Sequence, residues 1–321
     1  MFCMLTVGVL TGCGDTGSKD TSNENTSEEM ATGETIEGET DQERSIQGLG
    51  DREHKSQDES SQTDVSEEKS DEKTDKPITM ADLLNESGNT HGAEDVLSLP
   101  ETVLWFNATY AALTYSNGWN WRLVGGLEPT EENVEITKTL LFSSWNVRDR
   151  ESALETVDNL ITKGHRGKCQ ECMDELEEWG FLELEEDEFI EKLLDMDIDG
   201  KTGRYVITYY MYVSGIEPEY LAAFDLCRVN QLYADYYICG FMDYEEAMDA
   251  SLENSLALQK MYDSWEEMMD AYMLGFRFWQ GDFAVTEDSP TRERYHYYEM
   301  LCGLEDNPNT FDWDMKLEKS W

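Results

Sequence analysis

The chain has 321 residues and carries 70 Asp and Glu against 24 Lys and Arg, a formal net charge of -46. Neutralising a phosphate backbone needs a surplus of Lys and Arg on one face, so this balance argues against nucleic acid as a partner. Hydrophobic residues make up 39%, yet there are 9 Trp, 16 Tyr and 11 Phe, so an aromatic core must coexist with a very polar segment.

The N-terminal stretch MFCMLTVGVLTGC (1–13) is uncharged and too short to span a bilayer. Its end, Leu10-Thr11-Gly12-Cys13, resembles the lipobox of bacterial lipoproteins, in which the Cys thiol is acylated and becomes the first residue after cleavage. The resemblance implies a signal peptide over 1–13, lipid attachment at Cys13 and a place on the extracytoplasmic face of the cell membrane. A buried N-terminal strand is the alternative, but small residues cluster where a signal peptidase cuts. From Gly14 to Pro77 there are 20 Asp and Glu and 7 Lys and Arg among Ser, Thr, Gln and Gly. That composition cannot bury enough apolar area to offset chain entropy, so 14–77 is expected to be a disordered, charge-extended tether.

Residues 78–321 hold all the Trp and Tyr and are still near -33. Their apolar spacing predicts helices near 101–116, 129–145, 150–163, 168–179, 186–195, 218–239, 244–261, 265–279 and 290–302. Pro100, Pro129, Pro218 and Pro290 stand at predicted starts; Asp149, Asp243 and Ser264 are placed to cap, with Glu246 and Glu267 completing capping boxes. Gly164, Gly240 and Gly303 are expected to close helices in the left-handed conformation. Only Arg204–Val213, rich in Tyr and Val, reads equally as strand or helix. The expectation is a single all-α domain of about nine helices. The 218–239 helix, apolar nearly all round, should lie at its centre.

Five blocks, GWNWRL (118–123), SSWNVRDRESALETVDNLITKGHR (143–166), FDLCRV (224–229), GFMDYEEA (240–247) and SWEEMMDAYMLGFRFW (264–279), resemble the bacterial family catalogued as domain of unknown function 1266 (DUF1266). They run in order across roughly residues 105–313. The resemblance implies a domain and no reaction, and Phe224 stands where the family pattern leads one to expect Trp, a difference of packing.

Candidate sites therefore come from the residues themselves. Asp195, Asp197 and Asp199, followed by Gly200, have the one-three-five-six spacing of an EF-hand-like calcium loop. The twelfth position is Val206 where a bidentate Glu belongs, so the loop is either a weak Ca2+ site or an acidic turn. His165, Cys169 and Cys172 have chemistry suited to zinc, but Gly164 and Gly167 are expected to take His165 off the shared helical face and no fourth ligand follows. The other readings are a disulfide between the two Cys, small buried residues for all five of Cys169, Cys172, Cys227, Cys239 and Cys302, and helix-end cations for Lys163, His165 and Arg166. Asp225 and Arg228, three apart on the central helix, and Arg150, on the apolar side of 150–163, form a third group in which Asp225 is the expected partner of Arg150. That group is either a buried ion-pair network or a polar pocket. Arg277 projects with acids on the polar side of its helix, and the Tyr clusters 209–212, 236–237 and 295–298 either stack on sugars or fill the core.

No GxSxG, HExxH, P-loop or GxGxxG motif is present. The function expected is a lipid-anchored, cell-surface helical module that binds a protein or glycan partner through an acidic face. The competing expectation is a hydrolase or other enzyme working from Asp225, Arg228, Arg150 and the nearby His165.

Overall fold

The structure, a computed structural model, describes residues 99–196 and 202–321. Cys13, the 14–77 segment, Asp197, Asp199 and Gly200 lie outside the described residues. Ten α-helices are described: α1 Glu101–Ser116, α2 Glu131–Trp145, α3 Arg150–Thr162, α4 Gly164–Glu178, α5 Glu186–Asp195, α6 Thr202–Val213, α7 Ala222–Cys239, α8 Tyr244–Met261, α9 Trp265–Gln280 and α10 Pro290–Cys302. Short 3-10 turns occupy Val124–Gly126, Pro218–Leu221 and Pro308–Thr310, and the described residues contain no strand. No helix among them is long and apolar enough to cross a membrane.

α7 is the axis of the fold. All of its eighteen residues except Asp235 and Tyr237 are buried, and α1, α2, α3, α4, α8 and α9 pack around it. A helix that is apolar on every side can be stable in water only when neighbours cover every side. Asn230, a buried amide on α7, is satisfied within the packing. Asn230 donates to Thr109 Oγ1 on α1 and Ser255 Oγ on α8, both at 3.0 Å, while Asn254 on α8 donates to Asn230 Oδ1 and to Leu226 O, both at 2.8 Å. A smaller apolar cluster unites α4, α5 and α6 around Phe189, Leu193, Tyr209 and Met211, with the Phe189 and Tyr209 rings stacked at 3.9 Å.

Local chemistry sets the boundaries. Asp149, Asp243 and Ser264 accept from the N–H groups of Ser152, Glu246 and Glu267, but the expected reciprocal bonds differ: Glu267 accepts from Asp263 N–H at 2.7 Å, one residue before the cap, and the Glu246 carboxylate pairs with Arg150. At Asp149 the reciprocal partner is Ser152 itself. The Tyr- and Val-rich segment is a helix, because Tyr205, Val206, Ile207, Tyr209 and Met211 pack into the smaller cluster. The predicted 218–239 helix is interrupted: Pro218–Leu221 is a 3-10 turn and α7 begins at Ala222. Gly240 closes α7 at φ 74, but Gly303 has φ -80 and is not left-handed.

Residues 303–321 fold back as a strap over α1, α8 and α9. Trp313 forms a ring cluster with Trp105 and Trp265, Trp313 Nε1 donates to Tyr262 O, and Trp265 Nε1 donates to Phe311 O, both at 2.8 Å. Further along, Trp321 packs edge-on against Phe106 and donates to Asp249 Oδ1 at 3.0 Å.

α7 and α9 come close at Gly275, where a Cβ would stand 2.4 Å from Phe224 Cβ. Gly275→Ala should wedge these helices apart and cost about 1–3 kcal/mol, as overpacking does, read as a lower melting temperature with an unchanged far-UV spectrum. An unaltered melt would mean that the contact yields freely.

Candidate functional site

α3 and α4 meet with no loop between them. Lys163 (φ -127, ψ -64) ends one helix and Gly164, at φ +55, begins the next. Such a junction crowds the orphan carbonyls of one helix end and the orphan N–H groups of the next into the same space. No side chain at the N-cap of α4 answers them. The answer comes from α7, sixty residues on. Asp225, fully buried at 0% exposure, accepts the His165 main-chain N–H on both oxygens at 2.9 Å and lies 3.4 Å from that of Arg166. Its carboxylate thus caps α4 from another helix, at the end where the helix dipole favours negative charge.

Arg166 serves the other side of the junction. Its guanidinium donates to Leu160 O at 2.8 Å, to Ile161 O and to Asp225 Oδ2 at 3.2 Å, and its Nε lies 3.3 Å from the exposed Glu219. Arg228 completes the group by donating to Asp225 Oδ1 at 3.0 Å and to Phe224 O at 2.9 Å, with its guanidinium 3.8 Å from the Phe224 ring centre and 5.2 Å from that of Trp145. His165 Nδ1 lies 3.0 Å from Asp225 Oδ1 and 2.8 Å from Arg228 Nη2. One ring nitrogen either carries a proton or accepts one, so Nδ1 serves one of these two partners at a time. Burial pushes the Asp225 carboxyl up, but the His165 hydrogen bonds and the Arg228 charge outweigh it and hold the group below the ordinary 3.8.

Arg150 does not belong here. It lies half exposed, forms a two-pronged pair with Glu246 on α8 and donates to Phe241 O at 2.8 Å. With Arg150 held by Glu246, the expected Arg150–Asp225 pair is replaced by pairs of Asp225 with Arg166, Arg228 and His165. Arg166 was signalled in the sequence only as a helix-end cation, and its bonds to Leu160 O and Ile161 O bear that part out. Lys163 instead pairs with Glu171 at 2.8 Å.

The zinc candidates face different neighbours. His165 turns to α7, whereas Cys169 packs against Thr208 and Met211 of α6, at 3.7 and 3.8 Å. Burial pushes the Cys169 thiol up to about 11 and the Cys172 thiol up to about 12, which disfavours the thiolates zinc needs. All five described cysteines are free, and Cys169, Cys172, Cys227 and Cys239 are buried. Of the calcium candidates only Asp195, the last residue of α5, is described. Arg277 is half-buried and donates to the carbonyls of Asp282 and Phe283. Tyr209 and Tyr236 are core residues; Tyr212 is exposed.

Two further features escaped the sequence reading. Asp235, three turns along α7 from Asp225, has a buried Oδ1 without a hydrogen-bond partner, packed against the Val124–Gly126 turn where a Cβ on Gly125 would lie 3.4 Å away. Burial raises its carboxyl well above 3.8. Beside the Asp225 cluster an open depression of about 370 Å3 is lined by Gly215, Ile216, Glu217, Glu219, Tyr220, Met261 and Tyr262. Asp225, Arg228 and His165 do not line it.

Asp225→Ala would strand two buried guanidiniums and uncap α4, at a cost of about 3–5 kcal/mol. Gly164→Ala should act on the same contact, since a Cβ would fall 2.1 Å from Asp225 Oδ2 and the positive φ alone disfavours Ala by about 1–3 kcal/mol. Thermal unfolding of both variants checks this, and melts within a degree or two of the parent would disprove the capping role. The two aspartates should also give opposite pH responses. Asp225, with a lowered value, stabilises the fold above the ordinary aspartate range, and that stability is lost as pH falls through its folded value. Asp235, with a raised value, stabilises most when protonated, below 3.8, and loses that contribution as pH rises through its folded value. Asp235→Asn, neutral throughout, should therefore gain on the parent as pH rises; denaturant melts across pH that keep a constant gap would refute this.

A family description, "Protein of unknown function (DUF1266)", matches residues 141–314, from the end of α2 into the strap and including the whole Asp225 cluster. No curated protein and no solved structure matches the chain. By sequence, then, the chain belongs to the DUF1266 family.

Proposed function

We propose that this protein is a lipid-anchored, cell-surface helical module that binds a protein or glycan partner through an acidic face, with no catalytic role. The observation that carries the reading is the depression beside the 3-10 turn Pro218–Leu221. Glu217 and Glu219 stand on its wall, the Tyr220 ring is half-buried beside them, and burial with the nearby Glu267 and Asp270 charges raises the Tyr220 phenol. An aromatic ring in a negative field suits a Lys or Arg side chain by cation–π and charge attraction, and the same ring can stack on a sugar. The Asp225 cluster, by contrast, spends its polar groups on the α3–α4 junction. The tether and the lipobox-like Cys13 would hold this face away from the membrane.

A second reading, a hydrolase or other enzyme, rests on the His165–Asp225 contact, since a carboxylate on Nδ1 orients an imidazole for proton transfer. Arg150 would have no part in it.

Titration of the full chain with a Lys-rich peptide and with a neutral oligosaccharide, followed by Tyr and Trp fluorescence, tests the binding role. Saturable binding of either probe that falls at least tenfold in Tyr220→Leu supports it; peptide binding should also weaken in Glu217→Lys and with salt. Indifference to both probes would count against the depression. Anchorage is tested separately: Cys13→Ala should move the protein from the membrane fraction to the soluble one, and retention of the variant would reject the lipobox reading.

A further inference from the structure

Arg294, in the second turn of α10, is only 8% exposed, and its Nη1 is buried with no hydrogen-bond partner. Among the described residues it makes no ion pair and no hydrogen bond, and its guanidinium lies over the face of Phe276, 4.8 Å from the ring centre. In a chain with 70 acidic residues this is anomalous, because a desolvated guanidinium without a carboxylate is among the costlier things a fold can contain. Its position near a helix N-terminus adds to the cost, since the dipole there opposes a cation. The adjacent acid, Glu293, is exposed.

A second orphan lies beside the first. Thr291, at 0% exposure, has its Oγ1 buried without a partner. Residues three apart share a helix face, and side chains on a helix lean toward its N-terminus, so the Arg294 guanidinium is directed back over Thr291. Ser289 already caps this end by accepting from Arg292 N–H at 3.2 Å. The two orphan donors are therefore surplus to the needs of the helix, and both lie on its buried face, with Arg294 against Phe276 of α9.

We propose that Thr291 and Arg294 form a binding site for a single carboxylate group at the N-terminus of α10. The guanidinium offers two parallel N–H groups to the two carboxylate oxygens, the threonine hydroxyl donates a third bond, and the Phe276 face holds the guanidinium in place. One buried cation matches one negative charge. A phosphate dianion would leave an uncompensated charge in a domain already near -33, so a carboxylate, from a small organic acid or a peptide terminus, fits the site better. This site is separate from the acidic depression, and it selects the opposite charge.

The test is thermal melting of the full chain in sodium acetate, chloride and phosphate at equal ionic strength and pH. Acetate should raise the melting temperature saturably beyond chloride, because a ligand that binds only the folded state stabilises it by mass action. Arg294→Met, which keeps an apolar stem against Phe276, should weaken acetate at least tenfold while melting at or above the parent in chloride. Thr291→Val, nearly isosteric, should weaken it severalfold, and it carries the test should Arg294→Met fail to fold. Equal melts in acetate and chloride would overturn the proposal, as would an acetate response that survives the substitutions or a response to phosphate in place of acetate.

Discussion

Everything around α7 depends on one carboxylate closing a junction that its own neighbourhood cannot close. α3 and α4 abut through Lys163 and Gly164, so the ends of both helices need partners within a few ångströms. Asp225 supplies acceptors to α4, and Arg166, held by Asp225, supplies donors to α3. Gly164 has no side chain because the carboxylate occupies the place where its Cβ would be. The arrangement fixes the height and rotation of α7 against two helices at once, which is the kind of registry that a buried charge can impose and an apolar contact cannot. It also explains why a His, two Arg and an Asp converge at this one point.

α7 carries two aspartates about 15 Å apart by helical rise, and their surroundings shift their carboxyls in opposite directions. Asp225 is ringed by donors and stays ionised despite complete burial. Asp235 meets the edge of the Val124–Gly126 turn, finds no donor for Oδ1, and is driven toward the neutral acid. The contrast shows that donors, more than depth, decide the charge of a buried carboxyl.

Most of the helices were legible because apolar spacing and caps are local signals. Asp243 and Ser264 act as caps as the sequence implies, and the wide apolar arc of the predicted 218–239 helix reads correctly as central. Arg204–Val213 was ambiguous for a physical reason: Tyr and Val suit strands, and only packing against α4 and α5 selects the helix. At the candidate site the pair Asp225–Arg228 was visible as a three-residue spacing. Arg166 was not visible as its third member, because the start of α4 reads as residue 168 until the glycine at 164 is seen to begin the helix rather than only end the one before. Arg150 misled because a helical projection says which side a residue takes and nothing about a carboxylate 96 positions away. The orphan donors on α10 leave no trace in the sequence, since an unpaired Arg looks the same as a paired one.

The strap over α1 imposes an order on biosynthesis. α1 is buried over most of its surface, and Trp105 at its heart finishes its packing only against Trp265 and Trp313, some 160 and 208 positions later. As the chain is made from its N-terminus, this apolar helix must wait, unsheltered, for residues 311–321 to arrive. A polar segment as rich in like charges as 14–77 would keep such half-finished chains apart during the wait, a service to folding distinct from any role of the finished domain.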